Sequence, residues 1–237
     1  MPIVAVITAV AAERDAVADG VGSPQAVRLG PYDARRCETP TDDIVVVAGG
    51  VGPAAAAAAA AFVVATQPVR LLVSAGVGGS FASAGLRPGD VAVASTIVAA
   101  DLGAMSPERF LDLSALGLDG GAAVAVDPAL VDAMHSRLAD AGIAAAVGPI
   151  LTLSTATGTT TRAAELMARH GAVAEAMEGA GVAHVAVAHG LPVVEVRVIS
   201  NEVGDRDRAS WDLLGALDTL TRVARVVLAD RLAATSA

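Results

Sequence analysis

A run of β-branched residues late in the chain, at positions 193–199, sets the first constraint on the fold. Its length and composition are typical of a buried strand, and it stops at Ser200 and Asn201, before a charged loop that contains glycine. In open α/β sheets, ligands bind where strands give way to loops at their carboxyl ends. Ser200 and Asn201 are therefore the first candidates for a functional role, although an asparagine here equally suits the start of a turn.

The remainder of the chain alternates apolar runs with helix-forming segments. Predicted strands cover residues 3–8, 26–29, 34–38, 44–47, 70–74, 90–98, 147–153 and 172–175, and predicted helices cover residues 9–18, 54–65, 128–141, 162–170, 178–189 and 209–233. This alternation predicts an α/β fold with a central mixed, twisted sheet flanked by helices. No linker rich in Pro, Ser or charge interrupts it, so residues 1–237 are predicted to form a single domain.

The charge balance argues against nucleic acid as a partner. The formal net charge is −9, and the 16 basic residues are scattered rather than clustered. The aromatic side chains on which single-stranded nucleic acid stacks are limited to three Phe, one Tyr and one Trp. The sequence therefore predicts a protein that binds small molecules rather than DNA or RNA.

The beginning of the chain and its single cysteine bear on its compartment. The first residues lack a basic segment and reach Glu13 almost at once, unlike a secretory signal. The longest apolar run, at 53–66, is shorter than the about 20 residues that a bilayer span needs. Cys37 is the only cysteine, which excludes an intrachain disulfide and a Cys-rich metal site. We predict a cytoplasmic protein with no membrane partner, no metal and no other cofactor.

Three segments rich in glycine or hydroxyl groups follow predicted strands. Residues 49–52 and 76–79 can expose backbone N–H groups to an anion or a sugar, and tight turns explain them equally well. Neither matches a dinucleotide fingerprint or a Walker loop. In the third, six Ser and Thr side chains surround Gly158. Thr161 or a neighbour is expected to cap the next helix. The other residues are expected to line a polar pocket, in which Gly158 and Thr159 are predicted to bind substrate.

Two carboxylates occupy the starts of predicted helices. Glu178 begins a helix whose other residues are small or apolar, so it is expected to be nearly buried. Burial of a carboxylate costs several kcal/mol unless it is hydrogen-bonded, and a ligand with hydroxyl donors would offset about that cost. Glu13 lies in the first turn after the first strand. Because Glu13, Glu178 and Asn201 all lie at strand ends or helix starts, they are predicted to converge at one edge of the sheet as an active site.

Four segments carry a family resemblance. In order and spacing, T-A-V-A-A-E-R-D at 8–15, A-G-V-G-G at 75–79, E-A-M-E-G-A-G-V-A-H-V at 175–185 and V-R-V-I-S-N at 196–201 resemble the nucleoside phosphorylase and nucleosidase superfamily over nearly the whole chain. Within that superfamily, the stretch S-N-E-V-G-D-R-D at 200–207, followed by Trp211, is most similar to the futalosine hydrolases. The resemblance implies a nucleoside phosphorylase-like fold and a small-molecule nucleoside as substrate.

The resemblance also implies an activity and roles for individual residues. It implies hydrolysis of the N-glycosidic bond of a 6-oxopurine nucleoside, namely futalosine, with release of hypoxanthine in menaquinone biosynthesis. The alternatives are a methylthioadenosine/S-adenosylhomocysteine nucleosidase and a purine nucleoside phosphorylase. By this resemblance Met177 packs on the ribose and Glu178 holds its hydroxyls, Glu13 activates the attacking water, and Gly78 with its neighbour Val77 lines the sugar side.

The chemistry of the residues supports the same expectations. The reaction passes through an oxocarbenium-like ribose, which a carboxylate stabilises electrostatically. Superfamily members that act on adenine carry Asp where this chain has Asn201, and an amide, which both donates and accepts, suits a 6-oxopurine. Arg206, or Arg208, is the candidate to pair with a carboxylate at the far end of the substrate.

Two alternatives stay open at this point. Phosphorylases of the superfamily carry a glycine-and-arginine phosphate motif where this chain has Ala11, Ala12 and Glu13, so water is favoured as the nucleophile; Arg28, Arg35 and Arg36 remain possible phosphate ligands. A non-catalytic nucleoside-binding module is the other alternative, against which the presence of both Glu13 and Glu178 argues. The resemblance further implies a homo-oligomer, with the segment at 101–113 as the candidate subunit contact.

Overall fold

The computed structural model describes residues 2–118 and 120–228 and has a mixed α/β architecture. Its strands are β1 Ile3–Thr8, β2 Gln25–Leu29, β3 Tyr32–Glu38, β4 Asp43–Ala48, β5 Val69–Ser80, β6 Val91–Ala99, β7 Gly103–Met105, β8 Phe110–Asp112, β9 Ala123–Ala125, β10 Ala145–Thr152, β11 Ala174–Ala176 and β12 Val193–Glu202. Its helices are α1 Ala11–Val21, α2 Pro53–Thr66, α3 Pro128–Asp140, α4 Thr160–His170, α5 Gly179–Ala188 and α6 Leu213–Leu228.

The main sheet runs in the order β11-β10-β6-β12-β5-β1-β4-β3-β2. Strand β1 lies between β4 and β5 with parallel pairing on both sides, and all six of its residues are buried. Antiparallel pairs join β12 to β6 and β3 to β4, so the sheet is mixed, as predicted. Because β11 pairs with β10 on one side and with β5 on the other, one half of the sheet closes on itself.

The helices cover the sheet through small and branched side chains. Helix α1 packs on α6 and α2 packs on α5. The apolar face of α3 packs inward, with Leu130, Val131, Met134 and Leu138 all buried. The single cysteine, Cys37, lies buried in β3, where burial raises the pKa of its thiol to about 11.

Two strands extend further than predicted. Strand β5 continues through residues 75–80, which were expected to form a turn, because β12 and β11 supply hydrogen-bonding partners there. Strand β12 does not stop at Ser200 but runs to Glu202, with a register shift between Ile199 and Asn201. A one-residue irregularity of this kind redirects the side chains that follow it, so Ser200 and Asn201 lie at a bulge rather than a strand end.

The last helix begins later than the prediction of 209–233. Residues 208–210 form a 3-10 turn, and α6 starts only at Leu213, after Asp212 accepts a hydrogen bond from the N–H of Gly215 at 2.9 Å. Leu213 is 43% exposed, whereas Leu220, Val223 and Val227 are buried. Residues 229–233 of the predicted helix lie outside the described residues, as do residues 1 and 119, so a single domain over 1–237 stays a prediction.

Residues 101–118, where the sequence predicted neither a helix nor a strand, contain the β7–β8 hairpin, and the short strand β9 was not predicted either. All three of these strands are three residues long, too short to show a periodicity. Among the helices that the structure describes, none combines the length and apolarity needed to cross a bilayer.

Gly181 marks the closest approach of α5 to α2. A Cβ atom there would clash with the carbonyl oxygen of Pro53 and lie 3.1 Å from the backbone nitrogen of Ala57. Backbone atoms cannot rotate away as a flexible side chain can, so the two helices would have to separate. Glycine at this position therefore permits the packing of α2 on α5.

We expect Gly181→Ala to lower the free energy of unfolding by about 1–3 kcal/mol, because the clash outweighs the gain of roughly 1 kcal/mol that alanine brings to a helix. Urea denaturation followed by circular dichroism measures this change. The control is Val187→Ala on the exposed face of the same helix, where Val187 is 61% exposed. It should stay within about 0.5 kcal/mol of the parent. Equal or greater stability of Gly181→Ala would contradict the packing argument.

Candidate active site

A cleft of about 320 Å³ opens where β1, β5, β11 and β12 meet the segments that follow them. It brings together eight of the ten predicted site residues, namely Glu13, Val77, Gly78, Met177, Glu178, Ser200, Asn201 and Arg206. Its other lining residues are Ala9, Val10, Val51, Gly79, Ala156, Thr157, Glu175, Ala176, Trp211 and Leu213. Residues from widely separated parts of the chain thus converge at one place, as the sequence predicted.

Gly158 and Thr159, also predicted to bind substrate, are not among the residues that line this cleft. Thr159 is exposed, and its hydroxyl accepts a hydrogen bond from the N–H of Arg162, so it caps helix α4. Gly158 lies beside the aliphatic part of Arg206: a Cβ atom there would be 3.4 Å from Cδ of that side chain. Thr157, one position earlier, is the buried threonine that lines the cleft.

The carboxylate of Glu13 is held by backbone N–H groups. Its Oε2 accepts from Ala9 at 2.9 Å and from Val10 at 3.2 Å, and its Oε1 accepts from Val77 at 2.9 Å. Only 3% of the residue is exposed. Two carboxylate oxygens offer about four lone-pair positions, so these three bonds leave one for a proton donor in the cleft, such as a water molecule.

The carboxylate of Glu178 is buried, as predicted. The positive charge of Arg197 offsets much of the free-energy cost of burying it. Its Oε2 accepts from Nη1 of Arg197 at 3.1 Å, and its Oε1 accepts from the N–H of Gly52 at 3.2 Å. The sequence did not identify Arg197 or Gly52 as partners of this carboxylate. Because each oxygen has a second lone pair, Glu178 can still accept hydrogen bonds from two neighbouring hydroxyls.

Arg197 is the centre of a buried ionic network. The residue has 0% exposure; its Nε donates to Glu195 at 2.9 Å and its Nη2 donates to the hydroxyl of Ser74 at 2.8 Å. Burial alone would lower the pKa of Arg197, but the carboxylates of Glu195, Glu178 and Glu13 raise it above its ordinary value. Arg197 is therefore a permanent cation among acidic side chains.

Glu195 is the second carboxylate of this network, and it is also fully buried. Burial raises its pKa to about 7 from an ordinary value of 4.5, against the lowering effect of Arg197. Its Oε2 has no hydrogen-bond partner among the residues that the structure describes. Glu195 and Arg197 were missed because the V-V-E-V-R-V-I run was taken only as a strand; two charges inside such a run are the signal that a buried ion pair is present.

Gly76 lets this network approach Glu13. A Cβ atom at Gly76 would lie 2.5 Å from Oε1 of Glu13 and 2.9 Å from Nη1 of Arg197. Both distances are too short for a real Cβ contact, so any other residue would push the two functional side chains apart. The glycines at 76–79 thus permit close packing of side chains on β5 rather than forming an anion-binding turn.

The bulge in β12 fixes the orientation of Asn201. Its Oδ1 accepts from the hydroxyl of Ser200 at 2.8 Å, and its Nδ2 donates to the carbonyl oxygen of Glu202 at 2.9 Å. An amide nitrogen carries two hydrogens, so one remains for an acceptor in the cleft. Ser200 is buried, and its hydroxyl holds the amide of Asn201 in place. Asn201 itself presents the remaining N–H to the cleft.

Arg206 and Trp211 form the outer part of the cleft. The guanidinium carbon of Arg206 lies 5.0 Å from the centre of the Trp211 ring, and that of Arg208 lies 5.8 Å from it. Both arginines are exposed, but Arg206 alone lines the cleft. This arrangement presents one positive charge at the outer part of a cleft whose inner part is acidic.

A larger surface cleft, of about 690 Å³, lies between helix α4 and the segment at 202–205. Its lining includes Phe81, Met167 and Ser210 and none of the predicted site residues. Size alone does not identify a functional site, and the smaller cleft holds the convergent carboxylates and the amide. Within residues 2–118 and 120–228, no group of His, Cys, Asp and Glu side chains is placed to hold a metal ion.

Comparison with known proteins identifies the family. The model of the phosphorylase superfamily matches residues 3–232. The chain belongs to the phosphorylase superfamily. A futalosine hydrolase of Acidothermus cellulolyticus is 47% identical over 216 residues, which cover 91% of this chain and 86% of that protein. The resemblance to the superfamily and, within it, to the futalosine hydrolases is therefore confirmed.

Solved structures show that this phosphorylase-superfamily member has the expected fold. The futalosine hydrolase of Helicobacter pylori superposes with a TM-score of 0.84 at 20% identity, covering 96% of this chain and 97% of that one. A 5'-methylthioadenosine/S-adenosylhomocysteine nucleosidase of the same organism gives 0.84 at 21% identity, covering 96% and 98%. Because the two structures fit equally well, the fold alone does not distinguish between their substrates.

The raised pKa of Glu195 predicts a pH dependence of stability. Between the ordinary pKa of 4.5 and about 7, the folded protein holds a proton that the unfolded chain releases. The free energy of unfolding should therefore fall as pH rises through this range, by on the order of 3 kcal/mol at about 1.4 kcal/mol per pKa unit. Glu195→Gln resembles the protonated carboxyl and should lack this slope. Urea denaturation at several pH values measures the difference, and parallel curves for the two proteins would contradict the prediction.

Proposed function

We propose that this protein hydrolyses the N-glycosidic bond of futalosine and releases hypoxanthine. The observation that carries the proposal is the convergence of Glu13, Glu178 and Asn201 in one cleft, in a chain 47% identical to a futalosine hydrolase. Two carboxylates and an amide are the groups needed to bind a ribose, activate water and hold an oxopurine. The proposed role is thus enzymatic rather than that of a sensing module.

The ribose is proposed to lie between Met177 and Glu178. The half-buried Met177 offers an apolar surface to the sugar, and Glu178 accepts hydrogen bonds from its hydroxyls with the lone pairs that Gly52 and Arg197 leave open. As the C1'–N9 bond lengthens, positive charge develops on the sugar ring. The nearby carboxylates stabilise that charge because they are fixed in place before the reaction.

Water is the proposed nucleophile, with Glu13 as the general base. Glu13 is held rigidly by three backbone N–H groups, so its remaining lone pair points in one direction. Water attacks C1', its proton passes to Glu13, and the electrons of the C1'–N9 bond leave with the purine, which then takes up a proton. A positioned base of this kind contributes about 10²–10⁴-fold to a rate.

Three carboxylates in the cleft, from Glu13, Glu175 and Glu178, support water over phosphate, because they would repel an anionic nucleophile. The arginines that the sequence left as possible phosphate ligands face other partners. Arg28 pairs with Asp33, Arg35 with Asp15 and Arg36 with Asp43, and none of the three lines the cleft.

Asn201 and Arg206 are proposed to select the substrate. The free N–H of the Asn201 amide can donate to N7 or O6 of an oxopurine, where charge develops as the base departs. Arg206, which lines the cleft and is exposed, is proposed to pair with the benzoate carboxylate of futalosine. The proposal also includes a role in menaquinone biosynthesis, a cytoplasmic location and a homo-oligomer in which residues 101–113 form a subunit contact.

The proposal is tested by supplying the purified protein with futalosine, inosine and methylthioadenosine, each with and without phosphate, and separating the products chromatographically. We expect hypoxanthine from futalosine at the highest kcat/KM, a free sugar as the second product, and no dependence on phosphate. Faster release of adenine from methylthioadenosine would favour the nucleosidase alternative. A sugar 1-phosphate formed only with phosphate would favour a phosphorylase.

Glu13→Gln should lower kcat by about 100-fold or more, because an amide cannot take the proton from water. Binding of hypoxanthine should change only a few-fold, since Asn201 and the rest of the cleft remain. The matched control is Asp19→Asn, an exposed carboxylate on the same helix, which should keep the parent kcat. Steady-state kinetics and calorimetric titration supply the two readouts. A Glu13→Gln enzyme with near-normal kcat would rule out Glu13 as the base.

A further inference from the structure

Glu175 carries an unused acceptor inside the cleft. The residue is 8% exposed, and its Oε1 accepts from the N–H of Thr157 at 2.9 Å. Its Oε2 has no hydrogen-bond partner in the described part of the chain. The hydroxyl of Thr157 lies close enough to lower the pKa of the carboxyl, yet it makes no well-aligned hydrogen bond with any described residue. Both side chains line the cleft.

An unpartnered carboxylate oxygen in such a place is costly to the folded protein. Burial raises the pKa of Glu175, with the Thr157 hydroxyl and N–H and the more distant Arg162 and Arg206 opposing the shift. Among residues 2–118 and 120–228, no arginine forms a salt bridge with it of the kind that Arg197 forms with Glu178 and Glu195. A ligand that brings an N–H or O–H donor to Oε2 would offset the cost, so the position is built for a donor from outside the chain.

The sheet places Glu175 opposite Asn201. Glu175 of β11 pairs with Gly79 of β5, and Asn201 of β12 pairs with the same glycine from the other side. Residues that face each other across neighbouring strands project from the same side of a sheet. A Cβ atom at Gly79 would lie 2.8 Å from Cγ2 of Val203 and 3.2 Å from Nδ2 of Asn201, so the amide lies close to the glycine, beside a valine methyl group.

Gly79 therefore lies between an amide and a carboxyl on one face of the sheet, with a methyl group of Val203 packed against the glycine. Two strand spacings separate the backbones of Glu175 and Asn201 by about 10 Å. That distance accommodates a purine ring with a hydrogen bond at each edge. If one edge of the base meets Asn201, the opposite edge meets Glu175.

We propose that Glu175 is a specificity-determining residue that accepts a hydrogen bond from N1–H of a 6-oxopurine, at the edge opposite Asn201. This assignment rests on the proposed function and names the group that reads the second edge of the base. A 6-oxopurine carries hydrogen at N1, whereas a 6-aminopurine presents a lone pair there, which the carboxylate repels. With a base that lacks hydrogen at N1, the buried Oε2 of Glu175 would stay without a hydrogen bond. A binding site rejects a ligand strongly when that ligand leaves a buried polar group unpaired.

The test compares hypoxanthine with 1-methylhypoxanthine, in which the N1 hydrogen is replaced by methyl. Calorimetric titration of the parent protein should show that the methyl compound binds about 10- to 100-fold more weakly, the loss expected for one hydrogen bond to a charged acceptor. In Glu175→Gln the N–H of Thr157 holds the amide oxygen, so an NH₂ group replaces Oε2. We expect this variant to bind the two compounds within about threefold of each other, with hypoxanthine weakened.

Glutamine has the volume of glutamate, so a purely steric exclusion of the methyl group would persist in Glu175→Gln and would overturn the proposal. Equal binding of hypoxanthine and 1-methylhypoxanthine by the parent protein would also overturn the proposal, whatever the variant shows. Glu202→Gln is the matched control, because Glu202 is exposed, lies outside this cleft and carries the same charge. It should keep the parent preference, and thermal melting should show that both variants are folded.

Turnover separates this proposal from the proposed function. If the parent protein releases hypoxanthine from futalosine but Glu175→Gln keeps the full preference for hypoxanthine, the assignment of Glu175 alone fails. If the parent protein binds hypoxanthine with the stated preference but cleaves no 6-oxopurine nucleoside, the base-binding assignment is supported and the proposed hydrolysis fails.

Discussion

The ionic contacts of Arg197 are the interaction on which the architecture of this site depends. The guanidinium group of Arg197 is fully buried and donates hydrogen bonds to Glu178, Glu195 and Ser74. Removing one partner from such a network leaves a charge stranded in a medium of low dielectric, which is far more damaging than losing an exposed pair. This network also requires the glycine at position 76 of β5, because a side chain there would occupy the space shared by Arg197 and Glu13. At this position of β5, the charged side chains packed against the strand therefore determine which residue is tolerated.

The sequence predicted the strands and helices with strong periodicity and the convergence of three distant polar residues. It failed where long-range pairing decides the outcome. Residues 75–80 looked like a turn until β11 and β12 supplied partners, and the bulge at Ser200 follows from that pairing rather than from local preference. The functional side chains it missed, Glu175, Glu195 and Arg197, all lie within strands. The sequence shows that a strand contains a charged residue, but it does not show which residue pairs with that charge, because the partner comes from another part of the chain.

Within this superfamily, a shared backbone leaves the choice of substrate to a few side chains. Structures of a futalosine hydrolase and of a methylthioadenosine/S-adenosylhomocysteine nucleosidase superpose on this chain with equal TM-scores. In the function proposed above, the groups that hold the ribose and the water differ from those that face the base and the outer end of the substrate. The second set comprises Asn201, Glu175 and Arg206, which come from β12, β11 and the loop after β12. None of these three residues forms a salt bridge or a side-chain hydrogen bond with Arg197 among the described residues.

Trp211 gives the molecule an intrinsic optical reporter. The chain contains one tryptophan, and it lines the cleft with two guanidinium groups within 6 Å of its ring. Indole emission responds to nearby charge and to solvent contact, and no second indole contributes a background signal. Occupation of the cleft, or a movement of Arg206 toward an anionic group, should therefore change the fluorescence of the unlabelled protein. Ligand arrival can then be followed in real time by stopped-flow mixing, independently of bond cleavage.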